Sequence, residues 1–189
     1  MQKLQFLLVF FTVNTIFYDI LQAQTTQPIA QPTAYLSLEE GKPTQQNGID
    51  LTYKILNFRK QEVGKKGMFD RYEVMVSASN NQGCDMMIWL TGNERNTNSS
   101  NYPLAEFRCL NATGARLTSK SQSLTLDARY VPYTTTTKGS DGKNIQNTIQ
   151  VLAGYSLRAG STKENRMIVI VPEGEKPQFE VRTFNYPNQ

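Results

Sequence analysis

The stretch IQNTIQVLAGYSL, residues 145–157, carries the longest regular alternation of apolar and polar side chains in the chain. From residue 149 onward every second side chain is apolar, which is the period of a β-strand with one buried face. The apolar members are Ile149, Val151, Ala153, Tyr155 and Leu157. The pattern predicts one long strand, and Gly154 is the natural point for it to bend because glycine in a strand often marks a bulge.

The same period of two recurs on the N-terminal side of this stretch. GIDLTYKI (48–55) and RYEVMVSAS (71–79) alternate in the same way, and turn-forming residues at 80–83 end the second segment. After residue 23 no segment keeps apolar residues at the three-and-four spacing of a helix over a dozen residues. These patterns predict about eight strands, almost no helix, and mainly antiparallel sheets, because parallel strands need crossover helices.

The last third of the chain indicates how the sheets are arranged. MIVIV (167–171) is apolar on both faces, as in a central strand, so it has to be covered internally or by a partner. The run from Tyr155 to Arg182 places an apolar strand between a glycine turn and a Pro-Glu-Gly turn, and it resembles exported immunoglobulin-like and fibronectin-like modules. Two sheets packed face to face bury one face of every strand. We therefore predict an all-β, antiparallel two-sheet sandwich of immunoglobulin-like type.

Two segments are longer than an ordinary strand. Residues 121–133 and 145–157 each contain about 13 residues, or about 43 Å when extended at about 3.3 Å per residue. Such segments form either a long paired ribbon or strands that bend at a bulge and serve both sheets. The sequence leaves both alternatives open.

Residues 1–23 have the three parts of a secretory signal peptide. Lys3 supplies the positive start, residues 4–17 (LQFLLVFFTVNTIF) form an apolar stretch, and Ala23 is a small residue at the cleavage point. The alternative is a retained membrane anchor, but a span needs about 20 largely apolar residues, and polar side chains interrupt this run. We expect export to the periplasm, the cell surface or the extracellular space, with no membrane span after cleavage.

The exported part is expected to consist of a flexible leader and one domain. Gln, Thr and Pro recur without a regular period over residues 24–46, which is typical of an irregular segment. Residues 47–189 then form a single β-sandwich domain.

Composition excludes much of the chemistry that proteins perform. The 189 residues include no His, and Ser-His-Asp sites, Cys-His sites and imidazole-ligated metal centres all require one. The 20 basic and 16 acidic residues leave a net charge of +4 that is spread along the chain, unlike the basic groove of a nucleic-acid-binding protein. We expect no cofactor, no metal, no nucleic-acid partner and no enzymatic activity.

Carboxylates are the catalytic option that this composition leaves. A glycosidase needs two of them facing one another, and Glu73, Asp85 and Glu106 lie in predicted strands. Glu73 alternates opposite the apolar face of its strand, which is typical of a solvated outer residue. Asp141 is a single carboxylate in a Gly-rich turn, whereas calcium takes several oxygen ligands at close spacing. A carboxylate-based hydrolase is therefore the third alternative for the function.

The two cysteines, Cys84 and Cys109, lie in two predicted strands. Oxidation is favoured outside the cytosol, and the spacing is not the C-x-x-C of a redox pair, so we predict a disulfide between them. The bridge closes a loop of about 26 residues and contributes roughly 3–4 kcal/mol. Glycosylation triplets begin at Asn98 and Asn111 and have meaning only in a glycosylating secretory pathway.

Aromatic rings form the candidate ligand platform. Trp89 alternates with Ile88 and points away from the side of that residue. Met87 shares the side of Trp89, which favours a buried packing role for the indole, and the alternative is an outward ring that stacks on sugar. Tyr130 and Tyr133, beside a Thr-rich connection, form a second and weaker platform.

Together these patterns predict a non-enzymatic exported protein with a binding or structural role, in contact with another protein of the envelope or surface. A sandwich presents strand edges that accept a strand from a partner. The alternative is a carbohydrate-binding module that uses Trp89 and neighbouring tyrosines.

Overall fold

The computed structural model of the chain describes residues 30–90, 102–113 and 120–186. In these residues the regular structure is twelve β-strands and one 3-10 turn at Gly64–Lys66. The strands are β1 (Gln31–Pro32), β2 (Leu36–Leu38), β3 (Thr44–Gln46), β4 (Ile49–Glu62), β5 (Met68–Ser79), β6 (Met86–Trp89), β7 (Pro103–Cys109), β8 (Ser121–Thr125), β9 (Asp127–Lys138), β10 (Asn144–Leu157), β11 (Thr162–Pro172) and β12 (Phe179–Asn185). The prediction of an all-β protein with almost no helix is confirmed for the described residues.

The strands form three antiparallel sheets. The first has the order β1-β12-β7-β8, with β2 also paired to β12, the second β6-β10-β9, and the third β11-β5-β4-β3. Every strand pair in the described residues is antiparallel, as the sequence predicts. The three sheets and twelve strands differ from the two sheets and about eight strands expected, because short strands form within residues 31–46 and the segment 121–133 divides between two sheets.

Residues 30–46 are the described part of the expected leader, 24–46, and they contain β1, β2 and β3. The first two strands pair with β12 and the third pairs with β4. Thr33 N donates to Thr183 O at 2.9 Å, so this segment is hydrogen-bonded to the body of the fold. The predicted signal peptide, residues 1–23, lies outside the described residues, as does Asn98.

One hydrophobic core joins the three sheets. Its largest side chains include Phe107 and Phe179 from the first sheet, Tyr155 from the second, and Leu51 and Val74 from the third, all of them fully buried. Burial of one such side chain contributes roughly 1.5–3 kcal/mol. These contacts supply the main stabilising term of the fold.

The apolar run at 167–171 lies in β11, which is an edge strand of its sheet and not the central strand predicted. Four of its five side chains are buried. The loop after β7 covers part of the strand edge, where Thr113 N donates to Ile170 O at 2.8 Å. The expectation that this run is covered is therefore confirmed, although the sheet position is different.

The segment at 121–133 serves two sheets. Its first part, β8, pairs with β7, and its second part, β9, pairs with β10. The break falls at Leu126, which is buried and donates its N–H to Tyr102 O at 2.9 Å. The chain therefore passes from one sheet to another at a single residue that is fixed in the core.

The segment at 145–157 stays in one sheet and forms a long ribbon with β9. The register of this pair shifts between Leu152 and Gly154. The bend predicted at Gly154 is thus a β-bulge in which Ala153 is the extra residue. Both alternatives that the sequence left open occur, one in each long segment.

Candidate functional site

The outer part of the β9–β10 ribbon is exposed on both faces. We call it the arm, and it comprises residues 130–152. Residues 130–138 of β9 pair with residues 144–152 of β10. All of residues 144–150 are exposed, and so are all residues of the β9 part except Thr135. The arm is therefore a two-stranded ribbon that extends beyond the hydrophobic core.

The turn at the tip of the arm is specified by its own residues. Gly139 N donates to Lys143 O at 2.8 Å, and Gly142 has a φ of +76°, which favours glycine. The Asp141 carboxylate accepts the N–H of Lys143 at 3.1 Å and lies 3.6 Å from its Nζ atom. Asp141 is thus a turn residue. No group of three or more metal-ligating side chains occurs in the part of the chain that the structure describes.

A β-bulge marks the base of the arm. Leu152 pairs with Tyr130, and the next residue of β10 to pair with β9 is Gly154, so Ala153 is extra. A Cβ atom on Gly154 would lie 2.2 Å from the carbonyl oxygen of Ile88. Only glycine fits here, because the added atom would meet backbone that cannot rotate away. This close approach holds β10 against β6 where the arm begins.

The bulge decides which way the apolar side chains of β10 point. Directly opposed residues of an antiparallel pair lie on the same face. Trp89 is opposite Gly154, and counting back through the bulge puts Val151 and Ile149 on this outer face. Tyr155 points the other way, into the core, with 1% of its surface exposed. The alternation that the sequence presents as one buried face is therefore divided between two faces, which corrects the prediction.

The outer face carries a row of apolar side chains, which we call the outer stripe; all are exposed except Val151, which is half-buried. Its members are Trp89, Val131, Tyr133, Ile145, Ile149 and Val151. Trp89 is 52% exposed, Tyr133 56%, Ile145 53% and Ile149 50%. At about 150–250 Å² per aromatic side chain, and somewhat less for the aliphatic ones, the stripe exposes on the order of 500 Å². The polar row of Thr135 and Asn147 separates Ile145 from the other five members. The total lies within the range of about 300–600 Å² for the largest patch on a typical monomer.

The opposite face of the arm is polar. The hydroxyl groups of Thr134 and Thr148 share a hydrogen bond of 2.8 Å across the strands. Gln146 and Gln150 lie on the same face. Tyr130 is the large ring on this side, and it is 57% exposed. The arm is therefore amphipathic, with its apolar face turned away from the core side of the sheet.

The strands of the arm carry one charged side chain, Lys138, where β9 enters the turn. Arg129, one residue before the arm, is exposed on the outer face in the same row as Trp89. Residues 130–137 and 144–152 contain no Asp, Glu, Lys or Arg, although the whole chain has a net charge of +4. Natural sheet edges are commonly protected by charged residues or by proline, and Pro132 is the single such residue in these two ranges. A neutral apolar surface of this kind marks a site that meets another molecule.

The three residues of the predicted ligand platform are all exposed, but they do not share a face. Trp89 and Tyr133 lie on the outer face of the sheet, whereas Tyr130 lies on the opposite face. The burial expected for Trp89 is wrong, because Gly154 opposite it has no side chain to cover the indole. Met87 shares the side of Trp89 and is itself only partly buried.

Sequence reasoning missed the aliphatic members of the outer stripe. These are Val131, Ile145, Ile149 and Val151. Two of them were assigned to the buried face of β10, together with Tyr155. The signal that could have separated them is Gly154, since a glycine inside a long alternation marks a place where the faces can change.

The disulfide predicted between Cys84 and Cys109 is absent, and both residues are free thiols. Cys84 is exposed in the turn after β5, where Asn80 Nδ2 donates to its carbonyl oxygen at 3.0 Å. Cys109 is buried at the end of β7, opposite Phe179, and its thiol donates to Asn111 Oδ1 at 3.3 Å. The prediction is wrong because only one cysteine lies in a strand, and its thiol is turned inward. Burial raises the pKa of the Cys109 thiol.

The three carboxylates considered for catalysis have separate partners. Glu73 and Glu106 each pair with an arginine, at 3.3 Å and 2.6 Å. Asp85 accepts a backbone N–H at 2.9 Å. Each of the three carboxylates is thus engaged by a separate donor. None of these contacts joins one of the three carboxylates to another.

We compared the chain with protein-family models, with curated proteins and with solved structures, and none of the three comparisons finds a match. Within the described ranges, no helix is long and apolar enough to cross a membrane. Function is therefore inferred from the arm and its outer stripe.

Proposed function

We propose that this protein is exported, non-enzymatic and of immunoglobulin-like sandwich type, and that it has a binding or structural role at the cell envelope or surface. In this role the outer stripe contacts another protein chain. The observation that carries the proposal is the stripe itself. It is a face about 26 Å long, eight residue steps at about 3.3 Å each. Apart from Trp89 on β6, it lies on the parts of β9 and β10 that pair only with each other among the described residues.

The arm gains little stability from the rest of the fold. An isolated two-stranded hairpin is marginally stable at best in water. Its base, by contrast, is firmly held, since Tyr155 stacks on Tyr102 with ring centroids 4.0 Å apart and Leu90 N donates to Ala153 O at 3.0 Å. A neighbour that covers the outer stripe would therefore stabilise the arm as well as bind it.

The size of the outer stripe favours a protein over a small ligand. Burial of on the order of 500 Å² at about 25 cal/mol per Å² releases about 12 kcal/mol before any cost is counted. Association costs about 4–15 kcal/mol in lost freedom. Because the two figures are comparable, a partner has to cover most of the stripe, which a protein surface does and a small molecule on one ring does not.

The remaining chemistry of the chain supports a role without catalysis. The sequence has no His to act as a general base. Glu73, Asp85 and Glu106 are each engaged by a separate donor. Both observations favour binding over a carboxylate-based hydrolase.

A carbohydrate-binding module is the second candidate. Trp89 and Tyr133 are both more than half exposed on one face, and exposed rings of this kind stack on sugars. Val131 and Val151 lie between them and offer none of the polar side chains that orient a small ligand. The charged side chain in the row of Trp89 is Arg129, across Gly154. The stripe therefore suits an apolar protein surface better than a sugar.

Site-specific photo-crosslinking in the native envelope tests the protein contact. A photoreactive side chain at Tyr133 should give one discrete adduct that excess wild-type protein removes and excess Ile149→Asp protein does not. The same group at Lys54, an exposed residue of β4, is the control and should give no such adduct. Equal adducts at both positions, or no adduct at Tyr133, would contradict the proposal.

Titration with soluble polysaccharides separates the two candidates. The chain has one Trp, so a change in emission reports on Trp89 alone. We expect no saturable shift with any glycan. A blue shift that saturates with one glycan would favour the carbohydrate-binding module.

A further inference from the structure

The outer stripe has the arrangement needed to pack on a copy of itself. Five rows of side chains cross the outer face. Trp89 lies in the row at the base, and Ile145 lies in the row near the tip. Ile149 and Tyr133 form the middle row. Two arms that lie face to face and antiparallel, about a two-fold axis at the middle row, place Trp89 of each copy at the level of Ile145 in the other.

Charge favours a second copy over an oppositely charged partner. The chain has a net charge of +4, so two copies repel each other except where they meet through a neutral surface. Residues 130–137 and 144–152 of the arm provide that neutral surface. An acidic partner would find one basic side chain in the five rows, Arg129 in the row of Trp89, and only uncharged side chains in the other four rows.

The area of the outer face agrees with a dimer. A stable interface buries about 800 Å² on each partner. The outer stripe supplies on the order of 500 Å² of this area. Uncharged side chains on the same face, Thr135, Thr137 and Asn147, add to it.

We propose that two copies of this chain form a symmetric dimer through the outer stripes of their arms. This inference rests on the proposed function, because it names the protein chain that the stripe contacts. Two-fold pairing uses the same surface on both subunits, which is the commonest arrangement among soluble oligomers. In the dimer the apolar faces form the dry centre of the interface, and the Thr- and Gln-rich faces remain in water.

Light scattering and sedimentation of the full chain, over a concentration series, test the dimer. Ile149→Asp places a charge in the middle row and should weaken the dimer by at least about 30-fold. Gln150→Asp places the same charge one residue along, on the polar face, and should leave the dimer unchanged. Thermal unfolding of both variants checks that each one is folded.

A wild-type protein that is monomeric at every concentration overturns the dimer. Equal weakening by Ile149→Asp and Gln150→Asp does so as well. Photo-crosslinking at Tyr133 distinguishes this failure from failure of the proposed function. An adduct between two copies supports the dimer, an adduct with a different chain alone overturns the dimer but keeps the protein contact, and the absence of any adduct overturns both.

Discussion

Two ribbons of similar length give this molecule two different surfaces. The β4–β5 ribbon and the β9–β10 ribbon are each built from strands of 12 and 14 residues, and each contains one register shift. β5 is paired along its other edge by the whole of β11, whereas β10 is paired by β6 only at residues 154–157. Val74 on β5 is fully buried, while Ile149 on β10 is 50% exposed. The same alternation thus builds core in one ribbon and an open apolar face in the other.

The exposed ends of the two ribbons also differ in charge. The outer half of β4, residues 56–62, carries Arg59, Lys60 and Glu62, and Lys60 pairs with Glu173 at 2.6 Å. Charges of this kind discourage a second strand from joining the edge. The strands of the arm have only Lys138, next to the turn at the tip. The β4–β5 end also exposes Leu56, Phe58 and Met68, so the two ends differ in charge and not in whether they expose apolar side chains. The difference in charge agrees with the proposal that another chain covers the arm.

The largest expected effect is at the base of the arm, where the two surfaces meet. Gly154→Ala would put a Cβ atom 2.2 Å from the Ile88 carbonyl oxygen, so the backbone of β6 or β10 has to move. We expect the free energy of unfolding to fall by about 3 kcal/mol or more, as measured by urea denaturation.

Gly83→Ala is the matched control for that substitution. A Cβ atom on Gly83 meets nothing within 4 Å, so the change should cost less than about 0.5 kcal/mol. Equal stability of the two variants would show that β10 does not approach β6 as closely as the structure indicates.

One substitution made in both ribbons measures the contrast directly. Ile49 on β4 is 2% exposed, and Ile149 on the arm is 50% exposed. Ile49→Ala should cost about 2–5 kcal/mol of unfolding free energy. Ile149→Ala should cost less than about 1 kcal/mol when it is measured at low concentration, where the chain is monomeric. A cost at Ile149 as large as that at Ile49 would mean that the arm packs on the core, and the contrast would fail.

The buried ribbon could be predicted from the sequence because its alternation is unbroken where the core lies. Over residues 71–79 the inward side chains follow one another at every second position, and each is buried. They are Tyr72, Val74, Val76 and Ala78. A strand of period two with no insertion keeps one face throughout, so the pattern alone identifies the core residues.

The arm could not be predicted in the same way, for two physical reasons. The extra residue at Ala153 reverses the faces of Ile149 and Val151 relative to Tyr155, and periodicity does not register such an insertion. Periodicity also reports that a face is apolar without reporting what covers it. The disulfide prediction failed for a related reason. Separation along the chain does not determine whether two Cβ atoms have the distance and direction that a disulfide needs.

Thiol reactivity compares the buried core with the exposed turn between β5 and β6, because each contains one cysteine. Cys84 lies in that turn and is exposed, so it should react rapidly with a thiol reagent in the native protein. Cys109 should react only on unfolding, because it is buried and its raised pKa keeps it protonated. Counting thiols before and after denaturation checks both expectations. An intact mass that rises by two hydrogens on reduction would instead reveal a disulfide.

The smallest expected effect is in the emission of Trp89, and it reports on the outer face in solution. The indole is 52% exposed on a single chain, and in the proposed dimer Ile145 of the other copy lies at its level. The Ile149→Asp variant should therefore emit at longer wavelength and be quenched more readily by acrylamide than the wild type, while Gln150→Asp should match the wild type. Ile149 lies two rows away from Trp89, so a shift of this kind reflects loss of the covering chain rather than a direct contact. If all three proteins have the same emission maximum and the same quenching, the outer stripe is exposed to water in each of them. The exposure of the arm would then not be explained by a second copy that covers it.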